Sequence, residues 1–184
     1  GSGVDVAKIK RFYDRFLEDQ LMKKNQDVGR WNTIEAGLQK VEMIFNEAGG
    51  YSINQSMNDF WNAWHDLASN PSGLPERATL IAKADNLTSA FNQAVLSLKE
   101  VQKDMDFSIA VAVNEINLFV DQIAGLNSLI SQVEVGGSEA SDFRDQRDLS
   151  LKKLSELLNL SYLEDETGRV NIYLGNGKAL VLGN

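Results

Sequence analysis

Apolar residues recur every three or four positions through Leu80, Ala84, Leu87, Phe91, Ala94, Leu98, Val101, Met105, Ile109, Ala112, Ile116, Phe119, Ile123, Leu126, Ile130 and Val133. Side chains at that interval stay on one face of a helix, and a stripe this long is buried along its whole length only against other long helices. The spacing predicts one helix from about Pro75 to Val133, on the order of 90 Å at ~1.5 Å per residue. Two successive steps of four, Val101 to Met105 to Ile109, form a stutter that locally unwinds a left-handed supercoil. A straighter or bent stretch is expected there.

The same pattern marks a first helix over about 6–48. Its second half carries Trp31, Ile34, Leu38, Val41 and Phe45, and Gly49-Gly50 ends it. Gly29 and Gly37 lie inside this helix, each costing about 1 kcal/mol relative to alanine, which implies a bend or a close helix contact. A shorter helix over about 53–69 presents Met57, Phe60, Trp61, Trp64 and Leu67 and stops at Asn70-Pro71-Ser72-Gly73. Pro75 suits the first turn of the long helix, because the N–H that proline lacks would be unpaired there. A fourth helix covers about 142–158, with Asp142 at its positive N-terminal end.

Beyond Leu158 the period drops to two. Val170, Ile172 and Leu174 alternate with Asn171 and Tyr173, Gly175-Asn176-Gly177 supplies the positive backbone angles of a hairpin, and Ala179 to Leu182 follows as a strand. Thr167-Gly168 is a further turn, so Ser161 to Leu163 is expected as a first strand. The fold class is therefore mainly α: an elongated antiparallel helical bundle with coiled-coil-like packing over 1–159, and a small C-terminal antiparallel hairpin or sheet over 160–184, marginal alone and so leaning on the fourth helix or on a further segment. Helices one and two together match the third in length, which favours laying both against it.

The chain has 184 residues, 43% of them hydrophobic, enough to bury a core. Its formal charge of −8 lacks the steering that nucleic-acid phosphate or an anionic membrane requires, and no unbroken run of about 18 apolar residues or basic-then-apolar leader occurs. No cysteine is present, which excludes disulfides, thiolate metal sites and cysteine nucleophiles. His65 is the single histidine and sits among tryptophans, so a multi-histidine metal site is excluded and a packing or surface role is favoured. Neither a metal nor another cofactor is expected.

Acidic pairs capable of acid and base work on a glycan would come from Asp142, Asp145, Asp148, Glu164, Asp165 or Glu166. Asp145 and Asp148 stand one turn apart beside Arg144 and Arg147, the arrangement of an ion-paired helix face, and Glu164 to Glu166 precedes a turn. No Walker loop, dinucleotide fingerprint or EF-hand loop occurs, and Gly175-Asn176-Gly177 lacks the strand-to-helix setting of a phosphate cradle. An enzyme is not indicated.

Several segments taken in order resemble the flagellar hook-associated protein 1 family. Gly3-Val4-Asp5-Val6, Ile9, Arg11, Tyr13, Asp14, Phe16, Leu17 and Gln20-Leu21 open the match, so Gly1 to Gly3 are either native or a cloning remnant. Met57-Asn58-Asp59-Phe60-Trp61, Ser69-Asn70-Pro71, Val113-Asn114-Glu115-Ile116-Asn117 and Gln122-Ile123-Ala124-Gly125-Leu126-Asn127 continue it. The most specific piece is Asp145-Gln146-Arg147-Asp148 with Leu154-Ser155-Glu156-Leu157, followed by Gly168, Val170, Ile172 and Gly175-Asn176-Gly177. Phe143-Arg144 departs from the Leu-Leu that the family usually places before the Asp-Gln-Arg-Asp motif.

The resemblance implies a structural part of the bacterial flagellum, a rod-like domain of the junction between hook and filament that acts by helical self-assembly. It implies an extracellular location reached by flagellar type III export. The partners it implies are copies of the chain in a ring, the hook protein, the second hook-associated protein and an export chaperone acting through an absent C-terminal segment. It further implies terminal axial-core segments absent here, an outer domain towards which 160–184 leads, and a bundle completed by a returning helix, while 1–184 alone is expected to be monomeric. Candidate contact residues are the charged face from Arg144 to Asp148 and the hairpin, the alternative being that Arg147 and Asp148 pair only within the domain. The rival readings are a soluble helical signalling or ligand-binding bundle and, more distantly, an enzyme cutting cell-wall glycan.

Overall fold

The computed structural model describes residues 14–45 and 52–183. Helix α1 spans Arg15–Phe45, α2 Ile53–Ser69, α3 Leu74–Val135 and α4 Ser141–Leu157, followed by strands β1 Leu160–Glu164, β2 Val170–Leu174 and β3 Ala179–Val181. The mainly helical class with a small C-terminal antiparallel sheet is as the periodicity predicts, and α3 is one continuous helix of 62 residues. The expected start of the first helix near Val6 is not carried through Asp14, which lies outside the helix. Asp14 instead caps α1: its carboxylate accepts the Leu17 N–H at 3.2 Å, and its carbonyl accepts that of Glu18. Ser52 does the same for α2, accepting the Gln55 N–H at 3.0 Å. Residues 6–13 and the Gly49-Gly50 stop lie outside the described residues.

The chain divides into two compact units whose boundaries fall within α1 and α3. One unit holds the described residues up to Asn32 with those from Ala110 onward; the other is Thr33–Ile109. The boundary within α3 falls at the end of the stutter.

In the first unit, Met22 of α1, Ile123 of α3, Leu151 and Leu154 of α4, and Leu160, Val170, Ile172 and Val181 of the sheet form one buried cluster. The sheet has the order β1-β2-β3, with Leu160 opposite Leu174 and Glu164 opposite Val170. Ile172 pairs with Val181 and Tyr173 with Ala179 around an irregularity in β2. The first strand is one residue longer at each end than expected, and of the Gly175-Asn176-Gly177 turn only Gly177 takes a positive φ, +81°. The preceding turn is organised by Asp165, whose Oδ1 accepts the Thr167 and Arg169 N–H groups and the Thr167 hydroxyl. Those donors, the hydroxyl foremost, hold the Asp165 carboxyl below the usual carboxylate range.

In the second unit, α2 presents Phe60 edge-on to Trp61, ring centroids 5.3 Å apart, with Ala63 its buried residue. Lys83 of α3 pairs with Asp59 of α2 at 2.7 Å, and Lys40 of α1 with Asp104 of α3 at 3.3 Å. Donation from Lys83 and Gln55 lowers the Asp59 pKa.

The long apolar stripe is unevenly used. Leu80, Ala94, Ile123, Leu126 and Ile130 are buried; Ala84, Leu87, Leu98, Val101, Met105, Ala112, Ile116, Phe119 and Val133 are half-buried; Phe91 and Ile109 are exposed. On α1 the expectation fails more broadly: Trp31 and Leu38 are 61% and 63% exposed, Ile34 and Phe45 are exposed too, and only Val41 is half-buried. The reason is a second stripe at intervals of three and four, whose Met22, Gln26, Gly29, Gly37, Lys40 and Ile44 are buried or half-buried while its Thr33 is exposed. A Cβ at Gly29 would overlap the Glu156 carbonyl at the end of α4, and one at Gly37 would lie 3.1 Å from Met105 Cε. The two glycines let α1 approach its neighbours on their own face, which turns the apolar positions outward. On α2, Phe60 is half-buried while Trp61 and Trp64 are exposed. Among the described residues α3 is also the one helix long and apolar enough to cross a membrane, with an 18-residue stretch of mean hydropathy 1.3 that is 11% buried.

Candidate functional site: a buried arginine clamp

The polar chemistry of the protein concentrates where the C-terminal part of α3, the first turns of α4 and the β1–β2 turn meet. Helix α4 starts without a capping side chain, but Asp142 lies in its first turn, and the helix carries Arg144 and Arg147 one turn apart on a single face. Both reach away from α4. Arg144 Nε and Nη2 donate to the two carboxylate oxygens of Glu134 on α3 at 2.7 and 2.8 Å, and Nη1 donates to Glu164 Oε1 at the end of β1. A planar guanidinium suits such a forked arrangement, where lysine would provide only a point charge. Glu134 titrates below the usual glutamate range, chiefly through those hydrogen bonds and against partial burial, and Arg144 is held charged by the same contacts.

Arg147 lies deeper, only 2% exposed. Its Nη1 donates to the Gly168 carbonyl at 2.6 Å and to Asn127 Oδ1 at 3.1 Å, and Nη2 donates to Glu164 Oε1 at 3.2 Å. A buried charge is tolerated only when paired and hydrogen-bonded. Gly168 fits this arrangement, since its φ of +76° closes the turn and a side chain there would run into the Arg144 guanidinium.

Asn127 connects the clamp to the sheet. It is fully buried on α3, its Nδ2 donates to the Val170 carbonyl at 2.8 Å, and its Oδ1 accepts the Val170 N–H at 3.0 Å. The register shows why the strand needs it. The Asp165 N–H donates to the Arg169 carbonyl, so the polar groups of Val170 point away from β1, towards the side that β3 occupies. Strand β3 pairs no further along β2 than Ile172. The side-chain amide of Asn127 therefore takes the place of the next peptide of β3. On the other edge, Gln26 of α1 donates to the Leu160 carbonyl of β1 at 2.8 Å.

Of the motif residues expected from sequence, Arg147 is brought into this clamp and Asp14 is a helix cap, whereas Arg11 and Tyr13 lie outside the described residues. Asp145 and Gln146 are exposed on α4, and Asp148 is half-buried. The charged face from Arg144 to Asp148 is thus not uniformly a surface: its two arginines are turned inward to α3 and β1. Glu164 and Asp165, candidates for acid and base work, are taken up by the clamp and the turn. Asn127 and Glu134 were given no role by spacing, and Glu164 was weighed only as an acid or base, since Arg144 finds its carboxylates ten and twenty positions away. One available signal was Asn127, an amide set between the apolar positions Leu126 and Ile130. Among the described residues no cluster of metal-ligating side chains occurs.

Comparison with known proteins agrees with this architecture. Residues 38–184 match the family described as the flagellar hook-associated protein FlgK helical domain. The chain is 30% identical over 187 residues to flagellar hook-associated protein 1 of Salmonella typhimurium, covering 100% of this chain and 34% of that protein. It is 29% identical over 168 residues to the protein of the same name from Bacillus subtilis, covering 91% and 33%. The chain thus spans about a third of the length of these relatives. The solved flagellar hook junction protein FlgK of Burkholderia pseudomallei has a similar fold, with a TM-score of 0.73 at 22% identity over 91% of this chain and 29% of that one.

Proposed function

The chain belongs to the flagellar hook-associated protein FlgK helical domain family, and on that membership we propose that it is a non-catalytic structural segment of the junction between the hook and the filament of a bacterial flagellum. The observation that carries this reading is the family match over residues 38–184, which takes in α2, α3, α4, the arginine clamp and the whole sheet. In this reading copies of the full-length protein assemble side by side through heterologous contacts, each subunit presenting one face to a different face of its neighbour. The work is mechanical: α3 runs without interruption, and the clamp fixes the sheet and α4 to it.

The partners are other copies of the same protein, the hook protein and the second hook-associated protein. The location is extracellular, in the flagellum, reached by type III export, with a chaperone acting on a segment outside 1–184. The exposed stripe of α1, Trp31, Ile34, Leu38 and Phe45, supports a bundle completed by a further helix. Electron cryotomography of flagella carrying the full-length protein with a dense tag tests the proposal. Label confined to the boundary between hook and filament is expected; label along the filament, or in the cell body alone, overturns it.

A further inference from the structure

The sequence contains a single Asn-Gly dipeptide, Asn176-Gly177, and both residues are exposed at the tip of the β2–β3 hairpin. Asparagine followed by glycine is the pair at which a backbone nitrogen reaches the carboxamide carbon with least obstruction, because the second residue has no Cβ. Asn176 Oδ1 accepts the Lys178 N–H at 3.1 Å. This is an Asx turn, which folds the carboxamide back over the Gly177 peptide. The Lys178 N–H also points at the oxygen on which negative charge develops when Cγ is attacked. A Cβ built on Gly177 would meet nothing within 4 Å, so the tip is open to water.

We propose that Asn176 is a self-modification site, at which the protein deamidates through a cyclic imide. The Gly177 nitrogen gives its proton to hydroxide and bonds to Asn176 Cγ; the Cγ–Nδ2 bond of Asn176 breaks, and ammonia leaves after taking a proton from water. Water then adds to one of the two imide carbonyls. Opening on one side gives aspartate, and opening on the other gives isoaspartate, in which the backbone runs through the former side chain. The sum is one water consumed and one ammonia released. The Gly177 N–H donates to the Leu174 carbonyl at 2.8 Å, so the reaction proceeds through openings of that turn bond.

The two products differ in consequence. Aspartate keeps the turn and adds a negative charge to a protein that already carries −8. Isoaspartate adds a methylene to the backbone inside the loop closed by the Leu174 N–H and the Lys178 carbonyl, 2.8 Å apart. Strand β3 has only three residues, of which Val181 reaches the core, so the isoaspartate form loosens β3 from β2.

The test is to hold the folded protein in mildly alkaline buffer at physiological temperature. Peptide mapping by mass spectrometry follows every asparagine, and labelling by an isoaspartyl methyltransferase detects the branched product. The hairpin peptide is expected to convert about tenfold or more faster than any other, because the glycine leaves the attacking nitrogen unobstructed and the tip is open to water. In Asn176→Gln, whose cyclisation needs a larger ring, early labelling is expected to vanish. Another asparagine converting as fast, or early labelling that persists in Asn176→Gln, overturns the proposal.

Discussion

Replacing Asn127 by alanine removes a side chain that is fully buried and makes three hydrogen bonds, two of them to one residue of β2. Val170, 1% exposed, is left with a donor and an acceptor that neither β1 nor β3 reaches, and Arg147 keeps Gly168 and Glu164 as acceptors. Each orphaned buried group costs about 1–3 kcal/mol, so the loss is about 2–6 kcal/mol in all. Asn127→Leu separates hydrogen bonding from packing: it restores the volume and still leaves Val170 unpaired, so it is expected to lose nearly as much. Two readouts are needed because the protein has two compact units. Urea unfolding reports the total, and amide exchange at Val170 reports the strand itself, where protection is expected to drop in both variants. If the Val170 amide stayed as protected as in the parent protein, or the loss were below about 0.5 kcal/mol, the side-chain amide would not be standing in for β3.

Other consequences can be checked independently. Gly29→Ala should destabilise by about 1–3 kcal/mol in chemical unfolding, although alanine is the better helix former, because its methyl meets the backbone carbonyl of Glu156 and not a movable side chain. Ile123→Ala should cost about 2–5 kcal/mol, whereas Leu38→Ala on the outward stripe of residues 1–184 alone should stay within about 0.5 kcal/mol; equal losses would mean that α1 packs differently. The Glu134 pKa is lower in the folded state than in the unfolded one, so its contribution is complete above the ordinary glutamate range and is lost as pH falls through the folded-state value. Acid titration of Arg144→Met, followed by the melting temperature, should therefore show a shallower loss at low pH than the parent; identical slopes would remove the clamp from the acid response.

Periodicity carried the element types because burial of one helix face or one strand face imposes it. The spacing of Leu80 to Val133 marked α3, the turn formers after Ser69 marked the end of α2, and the alternation from Val170 to Leu174 marked β2. It did not carry which of two stripes on α1 faces inward. Both recur at the same interval, and the choice fell to Gly29 and Gly37, whose value lies in what they let approach, Glu156 and Met105. Asp14 and Gly168 were noticed in the motifs, yet their work as a cap and as a turn against the clamp depends on backbone angles and neighbours.

The sequence by itself determined that this protein is helical, rich in apolar heptads, closed by a small sheet, and a member of its family, since each of these follows from local spacing or from residue order. Only the tertiary structure decided that Arg144 and Arg147 turn inward, that Glu134 and Glu164 receive them, and that Asn127 completes the edge of β2. Those partners come from α3, α4 and the sheet. A polar group is committed to burial only when distant segments bring a complementary donor or acceptor to it, and spacing along the sequence does not record that meeting.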